Sequence, residues 1–187
     1  MNNQSASSPA FRAMSEHLSK AVTELFAGYG LAVGRAASTN TVSSKDEQSV
    51  VAVINYAGDA VSGAVTLVAP EWAVREWLEA IGVADCDVLD TVGEFSNMLL
   101  GRLKAKLLRE GVTVMAATPT TTPRNQIQLS TGPARWAAFD GPGWQVTLRL
   151  DAAFEPGFEL QAAGEAQEPA EAGEAILFES FAEEREP

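Results

Sequence analysis

Histidine and cysteine are almost absent from this chain, which has His17 and Cys86 as its single examples in 187 residues. One cysteine cannot close an internal disulfide, and one histidine with one cysteine cannot supply a zinc ligand set. Any metal would be held by oxygens or would belong to a partner. Basic residues are also short: 13 Lys and Arg stand against 25 Asp and Glu, for a formal net charge of −12. Such a balance excludes the basic footprint that nucleic acid or an anionic membrane surface demands, and it favours a partner with a basic or metal-bearing surface. No apolar run approaches the roughly 20 residues of a membrane span. The first eight residues lack both the basic and the apolar regions of a secretion signal, so the sequence reads as that of a soluble, cytoplasmic protein.

Familiar catalytic motifs are missing too. A Ser-His-Asp hydrolase would need His17 as its base, yet this residue lies in a helical pattern with no nucleophile motif nearby. Gly28-Tyr29-Gly30 lacks the third glycine of a phosphate-cradling loop, and no Gly-Lys-Ser/Thr occurs. The acids Asp85, Asp87 and Asp90 faintly suggest a calcium loop, but Leu89 stands at a ligand position and the required glycine is absent. Capping of the following helix explains them better.

What is present suits one domain with a sizeable core, 46% of the residues being hydrophobic. Ser8 and Pro9 mark a helix start, and Phe11, Met14, Leu18, Val22, Leu25 and Phe26 recur at three- and four-residue steps up to about Tyr29. Strand-like runs follow at 31–37, 49–56 and 61–68, the last two joined by the turn Ala57-Gly58-Asp59-Ala60. Alternation of Val61, Gly63, Val65 and Leu67 with Ser62, Ala64, Thr66 and Val68 predicts an antiparallel hairpin with one face buried and the other partly wet. A second helix is expected over 70–81, with Trp72, Val74, Trp77, Leu78 and Ile81 all contributing core, and a third from about 88 to Glu110, stopped by Gly111. Strands are then expected at 112–117, 126–130 and 144–154, with turns at Gly132-Pro133 and Gly141-Pro142-Gly143. The fold class is α+β: an antiparallel sheet packed with long helices in a single domain, residues 9–160. Residues 1–8 are polar and expected to be disordered. Residues 161–187 form an acidic low-complexity tail, also expected to be disordered: eight Glu and one Arg give it −7, leaving the rest at −5. Within the tail, Ile176, Leu177, Phe178 and Phe181 make a short apolar cluster, either a docking motif for another protein or a segment that rests weakly on its own domain or on nothing.

The third helix carries the best functional clue. At about 100° per residue, Val88, Val92, Phe95, Leu99 and Leu103 fall within roughly 80° of one another, a buried stripe. Asp90, Glu94, Asn97, Gly101 and Lys104 lie opposite. Glu94 and Asn97 are one turn apart, close enough to act on one small target, although a polar pair at this spacing is also common on any solvated helix. Gly93 and Gly101 sit in the helix body, where each costs roughly 1 kcal/mol relative to Ala. Either a partner needs the space, or Gly101 permits a close helix contact within the domain.

The pattern Asp90-x-x-Gly93-Glu94-x-x-Asn97-Met98-x-x-Gly101-x-x-Lys104 resembles the signature helix of the CheC/CheX/FliY chemotaxis phosphatases. Residues 61–67 resemble that family's glycine-containing strand, and Ala117-Thr118-Pro119-Thr120 its small-residue-Thr/Ser-Pro-Thr segment. One copy of the motif, with Ser19 where a second would need Asn, is similar to CheX rather than CheC. The resemblance implies a hydrolase acting on the aspartyl phosphate of a CheY-like response regulator, with Asn97 orienting the attacking water and Glu94 pairing with the regulator's lysine. It further implies that Asp90, Gly93, Met98, Gly101 and Lys104 serve partner binding, that this chain needs no cofactor of its own because magnesium resides in the regulator, and that a homodimer can form through the sheet. Flagellar switch components with this fold bind without catalysing, so a non-catalytic docking module is the alternative reading.

Overall fold

The computed structural model describes residues 8–37, 48–83, 86–128 and 134–160. The expectations for the N-terminal residues 1–7, for Asp85, for the Gly132-Pro133 turn and for the acidic tail with its Ile176–Phe181 cluster lie outside these residues. The chain orders its elements as α1 (Pro9–Gly28), β1 (Gly34–Arg35), β2 (Ser49–Ala57), β3 (Val61–Pro70), α2 (Glu71–Ala80), α3 (Val88–Arg109), β4 (Met115–Ala116), β5 (Thr120–Pro123), a 3-10 turn (Arg124–Gln126), β6 (Ala134–Asp140) and β7 (Gln145–Phe154). All strand pairs are antiparallel, and the sheet runs β1-β6-β7-β3-β2, with β4 and β5 sharing the outer edge of β2.

Helix α1 begins where Ser8 accepts a hydrogen bond from the Phe11 amide, with Pro9 at the first helical position, where its missing N–H costs nothing. Its six periodic apolar side chains are all buried. They meet the inner face of the sheet, built from Val50, Ala52, Ile54 and Tyr56 of β2, Val65 and Leu67 of β3, and Val146, Leu148 and Leu150 of β7. Tyr56 donates to the main-chain carbonyl of Asp151 at 2.8 Å, and burial pushes its phenol far above the usual tyrosine range.

An aromatic cluster joins the three helices to the sheet. Phe26 of α1 lies 5.0 Å from Trp77 of α2, 5.6 Å from Phe95 of α3 and 5.6 Å from Trp144, which precedes β7. Each such ring pair adds about 0.5–1.5 kcal/mol beyond its buried area. Glu110, the C-terminal cap of α3, meets His17 at 2.6 Å, and Lys106 meets Glu24 at 2.7 Å, so α3 is also fixed to α1 along its second half.

Several expectations are corrected, and one strand, β6, was not expected. Trp72 is 45% exposed whereas Trp77 is buried: five residues turn a helix by about 140°, which sets Trp72 on the solvent side. Of the strand expected at 126–130, Gln126 lies in a 3-10 turn, 127–128 are not in a strand, and 129–130 lie outside the described residues; the strand found in this region is Thr120–Pro123, where three β-branched threonines suit an edge and Pro123, lacking an N–H, ends the pairing. Strand β6 is Ala-rich and carries no clear alternation, and pairing with β7 across Gly141-Pro142-Gly143 is what makes it a strand. The runs expected at 31–37 and 112–117 shrink to two paired residues each, while Val112 and Val114 still enter the core.

Candidate functional site

Helix α3 starts at Asp87, whose carboxylate accepts from the Leu89 amide at 2.7 Å and from the Asp90 amide at 3.4 Å. Val88, Val92, Phe95, Leu99 and Leu103 are buried as their spacing requires. Asp90, Glu94 and Gly101 are exposed, and Asn97, Met98 and Lys104 are half-buried. Glu94 and Asn97 thus share one open face of a helix whose other face is held by the core. Among the described residues, neither side chain has a hydrogen-bond or ion-pair partner, so a carboxylate and a primary amide stand uncommitted about one turn apart.

Rigid packing lies directly beneath them. Phe95, between the two, touches Phe26 and Trp77 and stacks on Tyr29 at 5.4 Å and 26°. The Tyr29 hydroxyl also donates to the Met98 sulfur at 3.3 Å, drawing that side chain toward the end of α1. Neither Tyr29 nor this contact was legible beforehand, because the residues are 69 positions apart.

The two helix glycines differ. Gly93 is buried, and a Cβ there would lie 3.2 Å from Thr121 Cγ2 and 3.9 Å from Pro119 Cγ. The close approach it permits is therefore internal, against β5 and the segment before it, rather than to a partner. At Gly101 a Cβ would meet nothing within 4 Å. The internal-contact reading of Gly101 is thereby excluded, and its bare backbone faces outward. The segment Ala117-Thr118-Pro119-Thr120, which the sequence resemblance singled out, borders this face on the Gly93 side, with Ala117, Thr118 and Thr120 exposed.

Cations gather toward the end of the helix at Arg102, Lys104, Lys106 and Arg109, and acids at its start, as the helix dipole favours. Among the described residues there is no group of three His, Cys, Asp or Glu side chains placed to hold a metal ion, and no helix is long and apolar enough to cross a membrane.

An antiparallel sheet with three helices packed on one face defines an α+β fold. Residues 50–135, which include all of α3, match the family described as "Chemotaxis phosphatase CheX". In solved structures the fold is shared with chemotaxis protein CheX from Vibrio vulnificus at TM-score 0.64 and 16% identity, over 75% of this chain and 99% of that one. It is shared as well with the CheX of a CheX-CheY-BeF3-Mg+2 complex from Borrelia burgdorferi at 0.58 and 13%, over 76% and 97%. FliY from Thermotoga maritima matches at 0.50 and 18%, over 73% and 84%. No curated protein matches the chain in sequence. Residues 50–135 are thus similar in sequence profile to the CheX family, and the chain shares its fold with CheX.

Proposed function

We propose that this protein hydrolyses the aspartyl phosphate of a phosphorylated, CheY-like response regulator. The observation that carries the reading is the uncommitted Glu94–Asn97 pair on the open face of α3, within the stretch that matches the CheX family. An amide both donates and accepts, so Asn97 can hold a water by one bond and fix its direction at phosphorus. The water oxygen attacks in line, the bond from phosphorus to the aspartyl oxygen breaks, and the aspartate leaves with that electron pair as a free carboxylate. The water's protons pass to the phosphate released and to solvent. Glu94 meets the regulator's active-site lysine and sets the depth at which Asn97 enters. Positioning supplies most of what phosphoryl transfer asks of a protein, and a 100-fold acceleration corresponds to about 2.7 kcal/mol.

Magnesium belongs to the regulator in this reading, and no base or cofactor is required on this chain. Asp90, Gly101 and Lys104 flank the pair as docking contacts, and the bare backbone at Gly101 admits the partner closely. Met98 contributes where its half-buried side chain emerges beside Tyr29. Gly93 acts only indirectly, by letting β5 press against the helix.

Phosphate release from a panel of phosphorylated receiver domains, followed with and without this protein, tests the proposal. Acceleration for at least one receiver is expected. Saturable binding to an activated receiver with no change in release would mean a non-catalytic docking module. Charge reversal at Glu94 is expected to weaken the complex, and an unchanged affinity would place the interface elsewhere.

A further inference from the structure

The open face of α3 continues past the residues assigned to the phosphatase site. The steps of three and four that link Asn97, Gly101 and Lys104 reach Leu108 next, and Leu108 is 63% exposed, whereas Leu99, Leu103 and Leu107 of the same helix are buried. Arg109 beside it is exposed and Lys104 one turn before it is half-buried. Among the described residues neither cation has a hydrogen-bond or ion-pair partner, while Lys106 is engaged by Glu24. Together they outweigh the half negative charge that the helix dipole places at this end. The last turns of α3 thus present an apolar side chain between two uncommitted positive charges, and Asp90 and Glu94 make the first turns of the same face negative.

Charge and covalent connection select the occupant. An acidic segment with apolar side chains is repelled by the first turns and drawn to the last. This chain carries such a segment: residues 176–181, Ile-Leu-Phe-Glu-Ser-Phe, follow Glu174 and precede Glu183 and Glu184. The described residues end at Leu160, which borders one groove with Ser8, Arg12 and Glu16 in the first turns of α1. His17, the next residue of α1, touches Glu110 at the end of α3. The chain therefore leaves the domain near the end of α3 that carries Leu108. Ile176 stands 16 residues beyond Leu160 (176 − 160), and at about 3.3 Å per residue that length reaches up to about 50 Å. A tethered segment meets its site at an effective concentration of about 1 mM, so even a contact with a Kd of about 0.1 mM would be mostly occupied. We propose that residues 174–184 dock on the last turns of α3, with the apolar side chains of 176–181 covering Leu108 and the flanking glutamates facing Lys104 and Arg109. Leu108 lies 11 residues (108 − 97), about 16 Å, along α3 from Asn97, so the docked segment would overlap a receiver seated there. That consequence rests on the phosphatase reading; the docking itself does not.

Paramagnetic relaxation in the full chain tests it. A nitroxide is attached at Ser180→Cys in a Cys86→Ser background, and amide signals are compared before and after its reduction. Selective loss of signal at Lys104, Ala105, Leu108 and Arg109 is expected, while signals of α2, which packs near Phe95 toward the other end of α3, persist. The loss should disappear in Leu108→Glu, which puts a negative charge on the exposed strip, and in Phe178→Ser, which leaves the domain untouched. A mixture of isotope-labelled chain without the nitroxide and unlabelled chain carrying it should show no loss. The proposal is overturned if these four residues show no selective loss, or if the loss survives either substitution. It is also overturned if the loss appears equally in the mixture, which would make the occupant a second copy of the chain.

Discussion

Replacing Gly101 by Ala should make the protein more stable and less able to meet its partner. Gly101 lies in the interior of the 22-residue α3, and an added Cβ there meets nothing within 4 Å, so the substitution changes helix propensity and little else within the chain. Propensity alone is worth about 1 kcal/mol in favour of Ala, which in a domain of this size raises the melting temperature by about 2–4 °C. At Gly93 the same propensity gain is opposed. Its Cβ would stand 3.2 Å from Thr121 Cγ2, so β5 would have to retreat by a few tenths of an ångström from a strand to which four of its residues are paired. Gly93→Ala should therefore be about 1 kcal/mol less stable than Gly101→Ala, with its propensity gain largely cancelled. Urea denaturation with the two variants in parallel reads both numbers from the shift in midpoint at constant slope. In the phosphate-release assay, Gly101→Ala should turn over more slowly despite its added stability. Gly101→Ala no more stable than the parent, or Gly93→Ala equally stabilised, would refute the assignment of one glycine to an open face and the other to a packed one.

Further outcomes follow from burial and charge. Trp77→Ala should cost about 3–5 kcal/mol because it empties the centre of the aromatic cluster, while Trp72→Ala, on the solvent side, should stay within about 0.5 kcal/mol; equal losses in thermal unfolding would contradict the helix rotation described. Asp87→Ala should lower stability by about 1 kcal/mol through loss of the α3 cap, measured by the same method, and Asp87→Ser should restore most of it. Burial raises the Asp151 carboxyl above its ordinary value of 3.8, outweighing the hydrogen bond and charge of Arg149, which pull it down. The folded state thus binds this proton more tightly than the unfolded one, and the group's contribution to stability falls as pH rises from 3.8 through its folded value. Asp151→Asn cannot titrate, so the stability of the variant relative to the parent should increase over that rise; a decrease would mean that the attraction of Arg149 dominates.

Helix periodicity was the most legible part of this chain. The stripes from Phe11 to Phe26 and from Val88 to Leu103 are buried as spaced, and the capping residues Ser8 and Asp87 stand where their side chains serve amide groups. Those features depend on neighbours three or four residues away. What could not be read depends on distant partners: β6 is a strand because β7 lies beside it, and Pro119 and Thr121 explain Gly93 only once β5 folds back against α3. Trp72 shows the weakness of reading size without angle, since its bulk suggested core but its rotation from Trp77 exposes it. On the site, the open face of α3 could be derived from spacing, and the pairing of Glu94 with Asn97 stood out only through family resemblance. The packing of Arg149 against Trp136 left no trace in the sequence, because strand register alone brings them together.

The central claim is that Asn97 orients water while the rest of the α3 face supplies affinity. Single-turnover phosphate release from a phosphorylated receiver domain, with Asn97→Ala and the parent protein each at saturating concentration, tests it most directly, with affinity for an activated receiver measured alongside. The predicted result is a fall in rate of about 100-fold, or about 2.7 kcal/mol, with binding changed little. Full activity in Asn97→Ala, or a lost rate that is recovered simply by raising the enzyme concentration, would contradict the account.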